Sequence, residues 1–179
     1  HSLSFDGVDD VVTITSASNY TNIGSGDGDF AISLWAKFDA DNTWEGLISK
    51  GYYESNVDNA LVIRREEDGN KLLLSASDGT SYTNIVTGST AMTVSSGWFH
   101  VLVTRSSNSF NLYINGSLDG TGTYSESLWD NNEPIEFGQG NGTNNNERLD
   151  GYLDEVAIWN DDLTAVEVTA LYNSGNPIS

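Results

Sequence analysis

Asp6, Asp9 and Asp10 crowd one short stretch near the start of the chain, and Asp154 lies in an alternating run near its end. Asp154 shares strand parity with Val156 and Ile158, which alternation turns toward the core. A carboxylate there is costly unless a cation or several donors meet it. The early acids either cap turns or offer the oxygen ligands that calcium takes at variable geometry. No contiguous EF-hand-type loop is present. Asp154 and Glu155 are adjacent, so in a regular strand they point to opposite faces and do not form a catalytic pair. His100 is the single internal histidine. Beside Trp98 and Leu102 it reads as a strand residue with a satisfied hydrogen bond rather than a base or ligand.

Aromatic side chains are the other candidates. Trp44, Tyr52, Tyr53 and Trp129 sit in polar loops, flanked by Asp, Asn or Glu. Such rings stack on the apolar faces of pyranose sugars while neighbouring Asn, Asp and Arg meet the hydroxyls. Each is equally placed to be a partly buried packing residue. Trp35, Trp98 and Trp159 fall inside strand patterns and are assigned to the core. Arg64 and Arg65 stand out in so acidic a chain; alternation sends them to opposite faces, and Glu66, Glu67 or Asp68 are their nearest partners.

Charge narrows the function. Seven basic against 26 acidic residues give a formal charge of −19, which argues against a nucleic-acid backbone or an anionic membrane as partner. Divalent cations or neutral polar ligands suit such a surface better. No apolar run approaches the ~18 residues of a membrane helix, and no signal peptide is evident. With no Cys, thiol chemistry and disulfides are excluded. The 179 residues suffice for one domain with a substantial core. Because the first strand begins almost at once, the chain reads as a module of a longer protein.

The elements that must carry these residues are short strands. The clearest signal is Trp98 to Leu118, where Phe99, Val101 and Val103 alternate with His100, Leu102 and Thr104. Phe110, Leu112 and Ile114 then alternate with Asn111, Tyr113 and Asn115, across the polar link Ser106 to Ser109. Period two with β-branched and aromatic residues marks an antiparallel hairpin, and Asn115-Gly116 turns the chain into a further strand. Leu102 makes the second face apolar as well, so the hairpin is expected at the centre of a sheet. Other expected strands are Leu3 to Phe5, Val12 to Ile14, Phe30 to Phe38, Leu47 to Gly51, Leu61 to Ile63 and Leu72 to Leu74. Tyr82 to Val86, Met92 to Val94, Pro134 to Gly138 and Gly151 to Trp159 complete the set. Many short strands separated by turn signals predict an antiparallel sandwich. Thr164 and Glu167 make a capping box for one helix of barely two turns, which must dock on the sandwich to persist.

Five stretches in order carry a family resemblance. They are Leu3-Ser4-Phe5-Asp6-Gly7-Val8-Asp9-Asp10, Phe30-Ala31-Ile32-Ser33-Leu34-Trp35 and Ile48-Ser49-Lys50-Gly51. Trp98-Phe99-His100-Val101 with Leu112-Tyr113-Ile114-Asn115-Gly116 is the fourth, and Gly151 to Asn160 leading into the helix is the fifth. Together they resemble the laminin-G-like, concanavalin A-like jelly-roll modules of bacterial extracellular proteins. The resemblance implies an all-β antiparallel jelly-roll β-sandwich over residues 1–179 with one short C-terminal helix. It also implies a structural calcium ion near the joined termini, with Asp6, Asp9 and Asp154 as ligands. Members are mostly carbohydrate-binding or adhesion modules of larger proteins. The expectation is therefore a non-catalytic, extracellular carbohydrate-binding module that takes a polysaccharide or glycan through Tyr52, Tyr53 and Trp129. The alternative is a protein-interaction or structural module of a surface adhesin. Nucleic acid and membrane insertion are not expected. Jelly-roll glycosidases carry a Glu-x-Asp-x-x-Glu spacing on one strand face, and this chain has none. Related lyases need a Tyr or His base beside Arg or Gln, and no such cluster is recognisable among one Gln and four Arg.

Overall fold

The hairpin at Trp98–Leu118 lies in the middle of a six-stranded sheet in the computed structural model, which describes residues 2–15, 23, 26–41, 43–51, 59–130, 133–140 and 147–176. In chain order the strands are β1 (Leu3–Asp6), β2 (Val12–Ile14), β3 (Phe30–Phe38), β4 (Glu45–Lys50), β5 (Leu61–Arg65) and β6 (Leu72–Ser77). There follow β7 (Tyr82–Thr87), β8 (Phe99–Ser106), β9 (Ser109–Ile114), β10 (Ser117–Thr123), β11 (Ile135–Phe137) and β12 (Asp150–Trp159). One sheet runs β1-β12-β3-β8-β9-β10 and the other β2-β11-β4-β5-β6-β7, all neighbours antiparallel.

Alternation explains the core between them. Phe30, Ile32, Leu34, Val101, Val103, Leu112 and Ile114 from the first sheet meet Ile48, Leu61, Ile63, Leu72 and Leu74 from the second. The strand after Asn115-Gly116 is β10, as the turn signal requires, with Asn115 at φ 51° and Gly116 at φ 73°. Leu102, on the opposite face of β8, is buried too. Met92 to Val94 is not a strand. Met92 is a core residue, and Val94–Ser96 form a single 3-10 turn.

Two further expectations fail, the first at an irregularity in β12. In β12 it is Leu153 that enters the core, so the half-buried Asp154 faces outward. The register then shifts between Asp154 and Ala157, with Glu155 at φ 47°. This bulge resets the parity, and Val156 and Ile158 pack against the core although Asp154 does not. Trp35, Trp98 and Trp159 are not core residues either: Trp35 and Trp159 are half-buried and Trp98 is 38% exposed. Trp35 and Trp159 lie in the expected strands and Trp98 just precedes β8, but all three stand on the outer face of the first sheet.

The helix α1 (Ala165–Tyr172) docks on that outer face. Its capping box is complete, with the Thr164 amide donating to Glu167 at 2.8 Å and the Glu167 amide donating to Thr164 Oγ1. Val168 is fully buried, and the Tyr172 ring lies 5.9 Å from Trp35 and 6.0 Å from His100.

Candidate ligand groove and acidic loop

At the end of the sandwich where β1 meets β12, the β3–β4 connection folds back toward the tip of the β5–β6 hairpin. Between them lies an open groove of about 610 Å³ lined by Asp6, Gly7, Ala40, Asp41, Thr43, Trp44, Glu67, Arg148 and Asp150. Two consecutive arginines shape it. Arg64 sets its guanidinium 4.6 Å from the centre of the Trp44 ring, a cation–π distance, and donates to Glu147 at 2.5 Å. The Glu147 carbonyl in turn accepts from the amides of Gly46 and Gly140. Trp44 is thus fixed from one side by a chain of contacts that runs into β4.

Arg65 points the other way, into the protein. It is ion-paired with Glu45, and both side chains are fully buried. It also donates to the carbonyls of Ala40 and Met92, the latter at 2.6 Å, and stacks 4.1 Å from the Phe38 ring. Glu45 uses its second oxygen to accept from the Asp150 amide at 3.0 Å. Burial pushes the Glu45 carboxyl up to about 7, against the pull of Arg65 and the Asp150 amide. Both arginines therefore bypass Glu66, Glu67 and Asp68 of the hairpin tip as ion-pair partners. Their partners lie far along the chain, and the Arg65–Glu45 pair pins the groove's floor through Ala40 and Asp150.

The acidic loop adjoins the groove. Asp6, Asp9 and Asp10 are exposed, with one carboxylate oxygen of each within 4.8 Å of the others. Asp6 accepts from the Val8 amide at 2.9 Å, and Asp10 accepts from the Asp6 amide at 3.1 Å. Each of these two bonds occupies one oxygen and leaves the other. Three close carboxylates are a donor set that suits a hard cation such as calcium. Asp154 is not part of it. Asp6 pairs in register with Asp150, whereas Asp154 pairs with Trp35, four residues or about 13 Å further along β12. The bulge moreover aims Asp154 and Glu155 into one hollow, rather than to opposite faces.

Of the expected sugar contacts, Tyr52 and Tyr53 lie outside the described residues. Trp129 is half-buried at the far end of β6; its amide donates to the Ser77 carbonyl and its ring packs on Gly79. A Cβ at Gly79 would come within 3.0 Å of that ring. His100 is a buried residue of β8, and its Nδ1 has no hydrogen-bond partner among the described residues. Its Nε2 shares a 2.8 Å hydrogen bond with Ser33 Oγ, and burial lowers its pKa to about 4, so the imidazole is neutral at physiological pH.

A laminin-G family model, described as the concanavalin A-like lectin/glucanases superfamily, matches residues 6–169. The chain belongs to this family. Solved structures agree with this laminin-G-like sandwich. A native heptameric SAP-like pentraxin from Limulus polyphemus superposes at TM-score 0.68 with 19% identity, over 98% of this chain and 82% of that one. Domain 4 of AbnA, an extracellular arabinanase from Geobacillus stearothermophilus, solved with arabinotriose, gives 0.68 and 18% over 96% and 76%. Domains LG4-5 of the mouse laminin α1 chain give 0.63 and 17%, over 88% of this chain and 40% of theirs. At these identities the likeness is one of fold. A comparison with curated protein sequences returned no match.

Proposed function

We propose that this laminin-G-like domain is a non-catalytic carbohydrate-binding module of a larger extracellular protein, and that it binds a glycan in the groove beside Trp44. The observation that carries this reading is the Trp44 ring, held by Arg64 at the wall of a groove whose charged groups among the described residues are Asp6, Asp41, Glu67, Arg148 and Asp150. A fixed aromatic surface supports the apolar face of a sugar ring at little entropic cost. Carboxylates accept from the hydroxyls around it, and Arg148 donates. The arabinotriose complex of a domain with the same fold supports the ligand class. Trp129, Tyr52 and Tyr53 are candidates for a further sugar contact. Among the described residues no helix is long and apolar enough to cross a membrane. We further propose that Asp6 and Asp9, with Asp10, hold a structural calcium ion beside the groove.

A glycan array in calcium, followed by titration calorimetry with the best ligand, tests the module. Trp44→Ala should weaken binding by at least about ten-fold, the loss of one well-packed aromatic contact. Trp129→Ala and the Tyr52→Ala, Tyr53→Ala double variant should have smaller effects. Should Trp44→Ala bind like the parent, the groove is not the site. An array with no hit favours the adhesin-type interaction module instead.

A further inference from the structure

The outer face of the first sheet holds a second feature, remote from the groove in register. Trp35 on β3, Trp98 before β8, Asp154 and Glu155 at the β12 bulge, and Gly175 after α1 enclose a hollow of about 330 Å³. A neighbouring hollow of about 300 Å³ shares Trp35 and Glu155 and extends to His100, Trp159 and Leu171. The aromatic side chains here form two groups, Trp98 with Tyr152 and Trp35 with His100 and Tyr172. Trp98 lies 6.2 Å from Tyr152, and Trp35 lies 5.2 Å from His100 and 5.9 Å from Tyr172.

Chemistry restricts what fits. Among the described residues the only ionisable side chains lining the first hollow are two carboxylates, and neither is ion-paired. Asp154 accepts one bond, from the Glu155 amide at 2.9 Å. An anion would be repelled. A neutral sugar would find acceptors but few donors. A bare metal ion prefers a shell of oxygens to walls of indole. A cation with an apolar body satisfies both kinds of wall, because indole faces attract positive charge and the carboxylates neutralise it. The same sheet face already holds one such contact, with the Lys37 ammonium 4.8 Å from the centre of the Tyr152 ring and paired to Asp39 at 3.0 Å. Glu155 takes a left-handed backbone conformation, φ 47°, where a regular strand would have sent one of the two acids to the opposite face.

We propose that this hollow is a binding site for a small organic cation, an alkylated ammonium group, held between Trp35 and Trp98 with Asp154 and Glu155 as counter-charges. It is independent of the glycan reading and of Trp44.

Tetramethylammonium is the probe, with tert-butanol as an uncharged counterpart of similar size, titrated against the chain by tryptophan fluorescence and by NMR of the indole N–H signals. Saturable binding of the cation, weakened by salt, is expected, with no matching response to the alcohol. Trp98→Ala should weaken it by about five-fold, the loss of one partly exposed cation–π contact. The Asp154→Asn, Glu155→Gln double variant keeps the side-chain shapes and should weaken it at least as much, whereas Trp44→Ala should leave it unchanged. If Trp98→Ala does not fold, the double variant decides alone. No saturable response, equal binding of the alcohol, or a double variant that binds like the parent would overturn the proposal.

Discussion

Arg65 and Glu45 form an ion pair to which solvent has no access, although they stand on different strands and 20 residues apart. Arg65 couples that pair to the carbonyls of Ala40 and Met92, and Glu45 couples it to the amide of Asp150. The pair therefore ties β4 and β5 to the first residue of β12 and to the β3–β4 connection, the two sides of the groove that carries Trp44.

Removing one partner should cost far more than removing both. Arg65→Met leaves a buried carboxylate without its counter-charge and should destabilise the chain by about 3–5 kcal/mol. The double variant Arg65→Met, Glu45→Leu should lose much less. Urea unfolding of the parent, both single variants and the double variant measures the coupling. The pH dependence has a definite sign. Glu45 rises from 4.5 to about 7 on folding, so between these values the folded chain holds a proton that the unfolded chain has released. Its contribution to stability therefore falls as pH rises through that window. Arg65→Met should be most damaging at pH 8 and mildest near pH 4.5. Equal costs at both pH values would show that Glu45 stays charged throughout.

His100 works in the opposite direction. Burial lowers its pKa from 6.5 to about 4, so the unfolded chain takes up a proton below 6.5 that the folded chain refuses until about 4. Stability is retained above 6.5 and lost as pH falls through the window, on the order of 3 kcal/mol in all. His100→Gln removes this slope while keeping a group that meets Ser33. The stability gap between parent and variant should therefore narrow steadily from pH 7 to pH 4.5 in parallel chemical melts. A gap that stays constant would mean that His100 titrates normally in the folded protein.

What could be read in advance was what local pattern encodes. The hairpin of β8 and β9 declares itself because Phe99, Val101, Val103, Leu112 and Ile114 repeat with period two, and the helix because Thr164 and Glu167 sit three apart. Trp35 and Trp98 show where pattern stops. Alternation gives the strand but not which face receives a cover, and α1, which docks on that face, is short enough to leave both rings half open. Asp154 was misplaced for a different reason. Its parity with Val156 holds only in an unbroken strand, and nothing in Leu153-Asp154-Glu155-Val156 announces the bulge. The Glu45–Arg65 pair was hidden because its partners meet through sheet register, whereas Glu66 and Glu67 were nearer in sequence. Trp44 was visible as a loop aromatic; its setting beside Arg64 and the carboxylates of four separate segments was not.

Calcium gives the last test. Asp6, Asp9 and Asp10 bring three carboxylates within 4.8 Å in a chain of net charge −19, so their mutual repulsion opposes the folded loop unless a cation offsets it. An ion bound only by the folded state stabilises it by mass action, about 2.7 kcal/mol when free calcium is 100 times its dissociation constant. Because Asp6 ends the edge strand β1 and pairs in register with Asp150 of β12, that gain reaches the edge of the first sheet as well as the loop. Thermal melts in calcium and in chelator should differ for the parent. Asp9→Asn should abolish the difference, and without calcium it should melt slightly above the parent because one repelling charge is gone. Asp154→Asn lies about 13 Å away along β12 and should preserve the full calcium response. If Asp154→Asn loses the response and Asp9→Asn keeps it, the ion sits at the bulge and not at the loop. A parent that melts identically in calcium and chelator would remove the ion altogether.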